Sequence, residues 1–415
     1  MATGCVVPAI YFFRSLAAFL FLTSSLSVLA QDGPVALTNT NIFDGVNNKI
    51  TEDATVFVRD GLIERVASGK VDISNDYEVI DTEGNYLMPG MFDVHTHIDS
   101  VKRARQAIES GVTTVRSSSV TSFQDVALRE LVRNGKIVGP EFVAAGIYIT
   151  PDLGDTVLAD PRLVALADGV NTDDELRLLV GINVDRGVDV IKTRGTQRAG
   201  LPETDPRQQV YTERQLRVVV DEAAKHGLSV QVHAHGDEGA RAAVLAGARS
   251  IEHGTYLSDE TLQLMKERGT WFVPTYVTMD AMNEEKYNYV LRLRGKHMVP
   301  QLERAIREAI RIGVKIATGA DHYYEEDAIN RISIEVERFV EFGMSNFDAL
   351  QTATVDSAEL LQMDDRTGRI EEGFEADLIL VPGNPLTNIE VLQDVLLVMS
   401  DGRLALKRIP FAVTD

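Results

Sequence analysis

The stretch Met88-Pro89-Gly90-Met91-Phe92-Asp93-Val94-His95-Thr96-His97 reads as a Pro-Gly turn followed by an apolar strand that ends in two histidines. Alternate residues of a strand share a face, so both imidazoles can point to one side and hold one ion. Alone, a His-x-His is a weak signal, because polar residues at a strand mouth are ordinary. Its weight comes from the rest of the chain. Strands are predicted over 91–98, 112–117, 142–150, 188–192, 229–235, 249–253, 270–276 and 314–321, and helices over 125–134, 172–186, 212–226, 238–246, 259–268, 302–312 and 332–342. Eight such alternations over roughly 270 residues predict an α/β fold, the closed (β/α)8 TIM barrel. A doubly wound open sheet is the alternative, but it calls for a glycine-rich phosphate turn after the first strand, where His-Thr-His stands instead.

Outside this region, residues 31–88 and 368–415 carry short β-rich runs. The segments Val56-Phe57-Val58-Arg59-Asp60-Gly61 and Leu397-Val398-Met399-Ser400-Asp401-Gly402 have one shape, a β run closed by an Asp-Gly turn. Both ends are therefore expected to build one small β-sandwich around a barrel spanning 89–367. Residues 6–30 carry one charge, Arg14, and the stretch 16–30 is apolar and ends Val28-Leu29-Ala30, which reads as a signal peptide, 1–30, cleaved after Ala30; a retained membrane anchor is the rival reading. A secreted or periplasmic protein with no stable membrane insertion after cleavage is expected.

The 415 residues are 44% hydrophobic and 25% charged, as in globular proteins with a large core. A net charge of -21 argues against nucleic acid as a partner. Cys5 is the sole cysteine, so loss of the leader removes disulfides, thiolate metal sites and a cysteine nucleophile together.

Chemistry must then rest on other side chains. Five of the eight histidines, His95, His97, His233, His235 and His253, fall at the ends of predicted strands, as do Lys192 and Asp321. In a barrel that end carries the active site. Of the pair on the fifth strand, His233 is favoured as a metal ligand and His235 as a neighbouring contact. His226 suits a helix C-terminus and His297 a solvated loop, while His322, directly after Asp321, is a candidate contact. Lys192 closes an apolar strand, where an ammonium is costly to bury. Either it pairs with Asp189 or Asp321, or its free amine takes up carbon dioxide as a carbamate.

Together with Gly111-Val112-Thr113-Thr114-Val115-Arg116, Ile251-Glu252-His253-Gly254-Thr255, Thr318-Gly319-Ala320-Asp321 and the closing Gly368-Arg369-Ile370-Glu371-Glu372-Gly373, these strand ends resemble the amidohydrolase superfamily over nearly the whole chain beyond the leader. The chain is similar to its imidazolonepropionase-like branch, which includes dipeptidases, prolidase-like enzymes and ochratoxin-hydrolysing amidases. The resemblance implies two divalent ions, zinc foremost: one on His95, His97 and Asp321, the other on His233 and His253, bridged by carboxylated Lys192 and a hydroxide. It implies Asp321 as the group that moves a proton from the attacking water to the leaving amine. His235, or a tyrosine such as Tyr256 or Tyr276, is the candidate for steadying the oxyanion. The substrate implied is a dipeptide or an N-acyl amino acid, and barrels of this kind often form homo-oligomers.

Departures from the pattern cluster in loops. Ser117-Ser118-Ser119 stands where many relatives have an acid, Asp152-Leu153-Gly154-Asp155 replaces a glycine-histidine turn, and the loop after Lys192 is basic where relatives are small and neutral. Arg194 and Arg198 in that loop are candidates for holding a substrate carboxylate, unless they pair with Glu203 or Asp205. Two other functions fit less well: a cyclic amidase, lactonase or deaminase with one metal, and a non-catalytic barrel, which would tend to have lost ligands.

Overall fold

The computed structural model describes residues 33–325 and 332–409. The expected signal peptide lies outside them. The chain opens with β1 (Val35–Phe43), β2 (Ile50–Arg59), β3 (Leu62–Ser68), β4 (Glu78–Asp81) and β5 (Tyr86–Pro89). The central region continues with β6 (Met91–Thr96), α1 (Val101–Glu109), β7 (Val112–Ser117), α2 (Gln124–Arg133), β8 (Glu141–Val143), α3 (Asp173–Asp185), β9 (Val190–Arg194), α4 (Glu213–Ala224), β10 (Ser229–Ala234), α5 (Asp237–Ala246), β11 (Ser250–His253), α6 (Asp259–Arg268), β12 (Trp271–Val273), α7 (Tyr276–Ala281), α8 (Tyr289–Ile312), α9 (Ile332–Glu341), α10 (Asn346–Thr352) and α11 (Val355–Leu361). The chain closes with β13 (Leu378–Val381), β14 (Leu397–Ser400) and β15 (Arg403–Lys407).

The parallel strands form two sheets, β6-β7-β8 and β9-β10-β11-β12, with helices between them, a TIM-barrel-like α/β fold. Ile191, Val232, Ile251 and Phe272 are all buried, as expected of parallel strands covered on both faces. Helix starts are written locally: Thr172 with Glu175, and Thr212 with Gln215, form reciprocal capping boxes at α3 and α4.

Two expected strands are broken. Of 142–150 only Glu141–Val143 is regular; the chain then turns at Gly146, φ 65°, with the Ala145 and Gly146 N–H groups satisfied by the Asp125 carboxylate at 2.9 and 2.8 Å. The segment 314–321 is not a strand. It crosses from β12 to β6 by single contacts: Ala317 N–H donates to Phe272 O at 3.0 Å, Val94 N–H to Thr318 O at 3.0 Å and Asp321 N–H to His95 O at 2.8 Å. A side chain on Gly319 would meet Val273 at 2.7 Å and His95 at 2.8 Å, so the close crossing requires glycine there. The helix expected over 302–312 is also longer. α8 has 24 residues, begins behind the Asn288 cap and runs through Pro300. His297 therefore lies exposed on a helix rather than in a loop.

The two chain ends meet in one eight-stranded sheet ordered β15-β14-β13-β5-β1-β2-β3, with β4 also on β1. β5 is the junction, paired antiparallel with β13, Met88 opposite Ile379. The likeness of the two Asp-Gly segments has a structural counterpart. Asp60, Gly61, Asp401 and Gly402 all have positive φ, and the turns abut so closely that a Cβ on Gly402 would lie 2.6 Å from the Gly61 Cα. No helix of the described residues is long and apolar enough to cross a membrane.

Candidate metal centre and active site

The strand mouths deliver His95 on β6, His233 on β10 and His253 at the end of β11, with His97 and His235 one step beyond their strands. Asp321 ends the crossing segment. His253 and Asp321 both have left-handed backbones, φ 73° and 53°, a conformation that costs on the order of 1–3 kcal/mol and tends to mark functional positions.

Hydrogen bonds fix which imidazole nitrogen is bare. A carbonyl only accepts, so His97 Nδ1, 2.7 Å from Ser119 O, carries a proton, and in the neutral ring Nε2 presents its lone pair. That Nε2 is 3.1 Å from Asp321 Oδ1. His95 donates from Nδ1 to Glu252 at 2.6 Å, leaving Nε2 3.6 Å from the same Asp321 oxygen. Burial, helped by the Lys192 charge, pushes His95 down to about 4, so it is neutral at neutral pH. Burial works against the charge of Asp321, yet His95, His97 and Lys192 hold it below the usual carboxylate range. Ring nitrogens and an ionised carboxylate turned toward one another form a donor set that suits a divalent metal.

A second group adjoins the first. His233 donates from Nε2 to Gln197 O at 3.0 Å, which leaves Nδ1 bare; His253 Nδ1 meets Thr275 Oγ1 at 2.7 Å and His235 Nδ1 meets Thr255 Oγ1 at 2.9 Å. The donor atoms of His233, His235 and His253 lie within 4.8 Å of one another, as do those of His95, His253 and Asp321, so His253 belongs to both groups. Burial drives His233 and His253 well below the usual imidazole range and His235 to about 3. His235, expected as a neighbouring contact, brings a ring nitrogen into the same group.

Lys192 lines the same cavity of about 560 Å3, is buried, and its Nζ has no hydrogen-bond partner. Neither expected ion pair forms. Asp189 is held by Arg129 at 2.5 Å, and Asp321 faces the histidines. Burial, reinforced by Arg116 and Arg198 and opposed by Glu252 and Asp321, draws the amine down to about 7.

Around these groups the cavity is walled by Ser118, Tyr148, Arg198, His322, Tyr323 and, from α7 and α8, Met279, Met282 and Leu291. His322 accepts the Tyr324 N–H on Nδ1 at 2.9 Å, so its proton sits on Nε2. Arg194 lines an adjoining cavity, and neither Arg194 nor Arg198 pairs with Glu203 or Asp205; Asp205 is taken by Arg207 at 2.9 Å. Tyr256 and Tyr276 are corrected: neither lines the cavity. Thr275, φ 52°, turns the chain so that Tyr276 packs on Phe342 with ring centres 4.8 Å apart, while Tyr256 lies against His297 at 5.9 Å. The tyrosines that line the cavity are Tyr148, Tyr287 and Tyr323. Also missed was the floor of the site, where Arg116 reaches Glu252 at 2.9 Å and Ser250 at 3.1 Å. The signal was present, as a buried acid and a buried base inside two apolar strands.

Known proteins resemble this chain over most of its length. Aspergillus niger ochratoxinase is 27% identical over 435 aligned residues, covering 89% of this chain and 88% of its own. A Xaa-Pro dipeptidase solved with bound methionine superposes with a TM-score of 0.81 at 29% identity over 89% of this chain and 99% of that one. A prolidase solved with N-methylphosphonate-L-proline gives 0.78 at 26% identity, with 89% and 99% covered. The amidohydrolase family profile matches residues 86–405, from the strand that joins the two chain ends, through every histidine of the cluster, to the last strand of the terminal sheet, and the chain belongs to that family.

Proposed function

We propose that this metal-dependent amidohydrolase is exported and cleaves the amide bond of a dipeptide or an N-acyl amino acid. His95, His97 and Asp321 would hold one divalent ion, zinc foremost, and His233 and His253 a second, with carboxylated Lys192 reaching both. Lys192 carries the reading: a buried amine without a hydrogen-bond partner, on the wall shared by both donor groups, drawn down to about 7. Much of it is uncharged at neutral pH. A free amine adds carbon dioxide to form a carbamate with release of one proton, replacing an orphan cation by an anionic oxygen donor.

Bound there, the ions would make water acidic enough to ionise near neutral pH and would polarise the scissile carbonyl. The chain supplies the rest. Asp321, kept ionised, accepts the proton of the attacking water and passes it to the leaving nitrogen. His235 would serve the oxyanion rather than an ion: in the tautomer in which Nδ1 accepts from the Thr255 hydroxyl, Nε2 carries the proton and can donate. His322 presents Nε2–H to the substrate from the wall. Arg194 and Arg198, flanking the Tyr148 ring, face the carboxylate of an amino-acid-derived substrate.

The same reading takes the two parallel sheets as one closed eightfold barrel over 89–367, supported by the bridges Ile149 to Thr193, Phe272 to Ile316 and Thr96 to His322 across the gaps. It takes the terminal sheet as a sandwich folded from 31–88 and 368–415, supported by a core in which Val56 and Ile63 join Leu378 and Leu397. Export rests on residues 1–30, and a mature N-terminus at Gln31 in the periplasm or medium would bear it out. Purified protein with added zinc or manganese is expected to turn over members of a dipeptide and N-acyl amino acid panel; no turnover with any metal overturns the proposal. One ion and an unmodified lysine would favour a mononuclear cyclic amidase, lactonase or deaminase.

A further inference from the structure

Beside the main cavity lies a second, of about 230 Å3, and the two share His97, Tyr148, Arg198 and Tyr323 on their walls. Arg194, the last residue of β9, lines only the smaller one. It is 8% exposed, and its Nε has no hydrogen-bond partner; the Tyr148 hydroxyl also has none. The Arg194 and Arg198 guanidiniums lie 4.7 and 5.8 Å from the centre of the Tyr148 ring. Among the described residues neither forms an ion pair, although the chain carries a net charge of -21. The acids of the smaller cavity, Asp99 and Asp152, are engaged elsewhere: Asp99 with Arg103 at 2.7 Å, Asp152 with the Gly154 N–H at 2.9 Å.

The loop that follows Arg194 and carries Arg198 is fixed in advance. Val210 N–H donates to Gly195 O at 2.8 Å and Gln197 N–H to Gln208 O at 3.0 Å, a small hairpin. Arg294 of α8 clamps its far side through the carbonyls of Ala199, Leu201 and Thr204. Two unpaired guanidiniums carried at one wall on a fixed backbone are placed to meet anions.

Resting on the amide-hydrolase reading, we infer that the smaller cavity is a subsite for a second carboxylate, so that the leaving amino acid is dicarboxylic, of the aspartate or glutamate kind. Arg198, which reaches both cavities, meets the α-carboxylate, and Arg194 meets the side-chain carboxylate. A leaving group with one carboxylate would leave a buried guanidinium without a counter-charge. The amide of a glutamine-type group would set an NH2 against a partner that has only donors.

The test compares kcat/KM of the metal-loaded enzyme for N-acetyl-L-glutamate and N-acetyl-L-glutamine, and for the matching glycyl dipeptides. A preference of about tenfold or more for the acid is expected. Arg194→Gln should bring that ratio close to one. Arg198→Gln, at an exposed loop position, should raise KM for both substrates and keep the ratio. Equal rates with the parent enzyme overturn the inference and leave amide hydrolysis standing. If no amide is cleaved, the amide-hydrolase reading falls, and calorimetry of glutarate against glutaramate on the parent protein judges the subsite alone: tighter glutarate binding supports it, and equal binding overturns it.

Discussion

Glu252 and His95 share a 2.6 Å hydrogen bond at the floor of the site, and Arg116 holds Glu252 from the other side at 2.9 Å. All three are buried. The acid fixes the His95 tautomer that turns Nε2 toward Asp321, and burial, which by itself would raise Glu252, is overcome by Arg116 and His95, which bring it down to about 2. Glu252→Gln can still accept from Arg116, but it sets an NH2 against the His95 Nδ1–H. Metal affinity is expected to fall about 10- to 100-fold, read by competition with a chromogenic chelator. A loss of stability of about 3 kcal/mol should accompany it, because Arg116 loses its counter-charge.

The metal-free protein offers a separate test of Lys192. Its amine titrates near 7 in the fold against the usual 10.5, so the unfolded chain binds more protons between those values and stability rises with pH across that window. Lys192→Met removes the penalty. After chelation the variant is expected to be more stable than the parent by about 2–4 kcal/mol at pH 7, with the gap closing toward pH 10 in urea titrations. A gap that does not change with pH would show that the amine is not desolvated.

Asp377, directly before β13, has the opposite sign. Burial pushes it up to about 7 from 3.8, and it accepts the Asp401 N–H at 2.9 Å and the Thr367 hydroxyl at 2.8 Å. The folded state keeps a proton that the unfolded state has lost, so stability falls as pH rises between about 4 and 7. Asp377→Asn imitates the neutral form, with the Thr367 hydroxyl turning to accept. Equal stability near pH 4 and an advantage of roughly 2 kcal/mol for the variant at pH 8 are expected.

Legibility in the sequence tracked physical cause. His95, His233 and His253 could be read because polar groups at the end of apolar strands stand out, and the end of a barrel strand is where sites form. The crossing segment 314–321 could not. Its apolar run looks like a strand, and only the close approach at Gly319 and the turn at Asp321 show why pairing is reduced to single contacts. Tyr148 and Tyr276 both come after β runs. Which of them faces the cavity depends on the left-handed turn at Thr275, and a β-branched residue gives no sign of such a turn. Met279, Met282 and Leu291 carry a pattern indistinguishable from core until the cavity is seen beside them.

Arg294 makes a further expectation testable. Its guanidinium holds the loop through backbone carbonyls at 199, 201 and 204 and touches none of the metal-binding donors. Arg294→Ala should raise KM several-fold, with kcat changed less, and open the 199–204 segment to limited proteolysis. An unchanged KM with an intact loop would show that the clamp is dispensable.

A two-metal centre built from the histidine cluster and Lys192 is tested most directly by native mass spectrometry of zinc-loaded protein prepared in bicarbonate. The expected result is two zinc ions and the mass of one bound carbon dioxide per chain, with the carbon dioxide absent and metal loading reduced in Lys192→Met. A single ion with no added carbon dioxide, unchanged by that substitution, would contradict it.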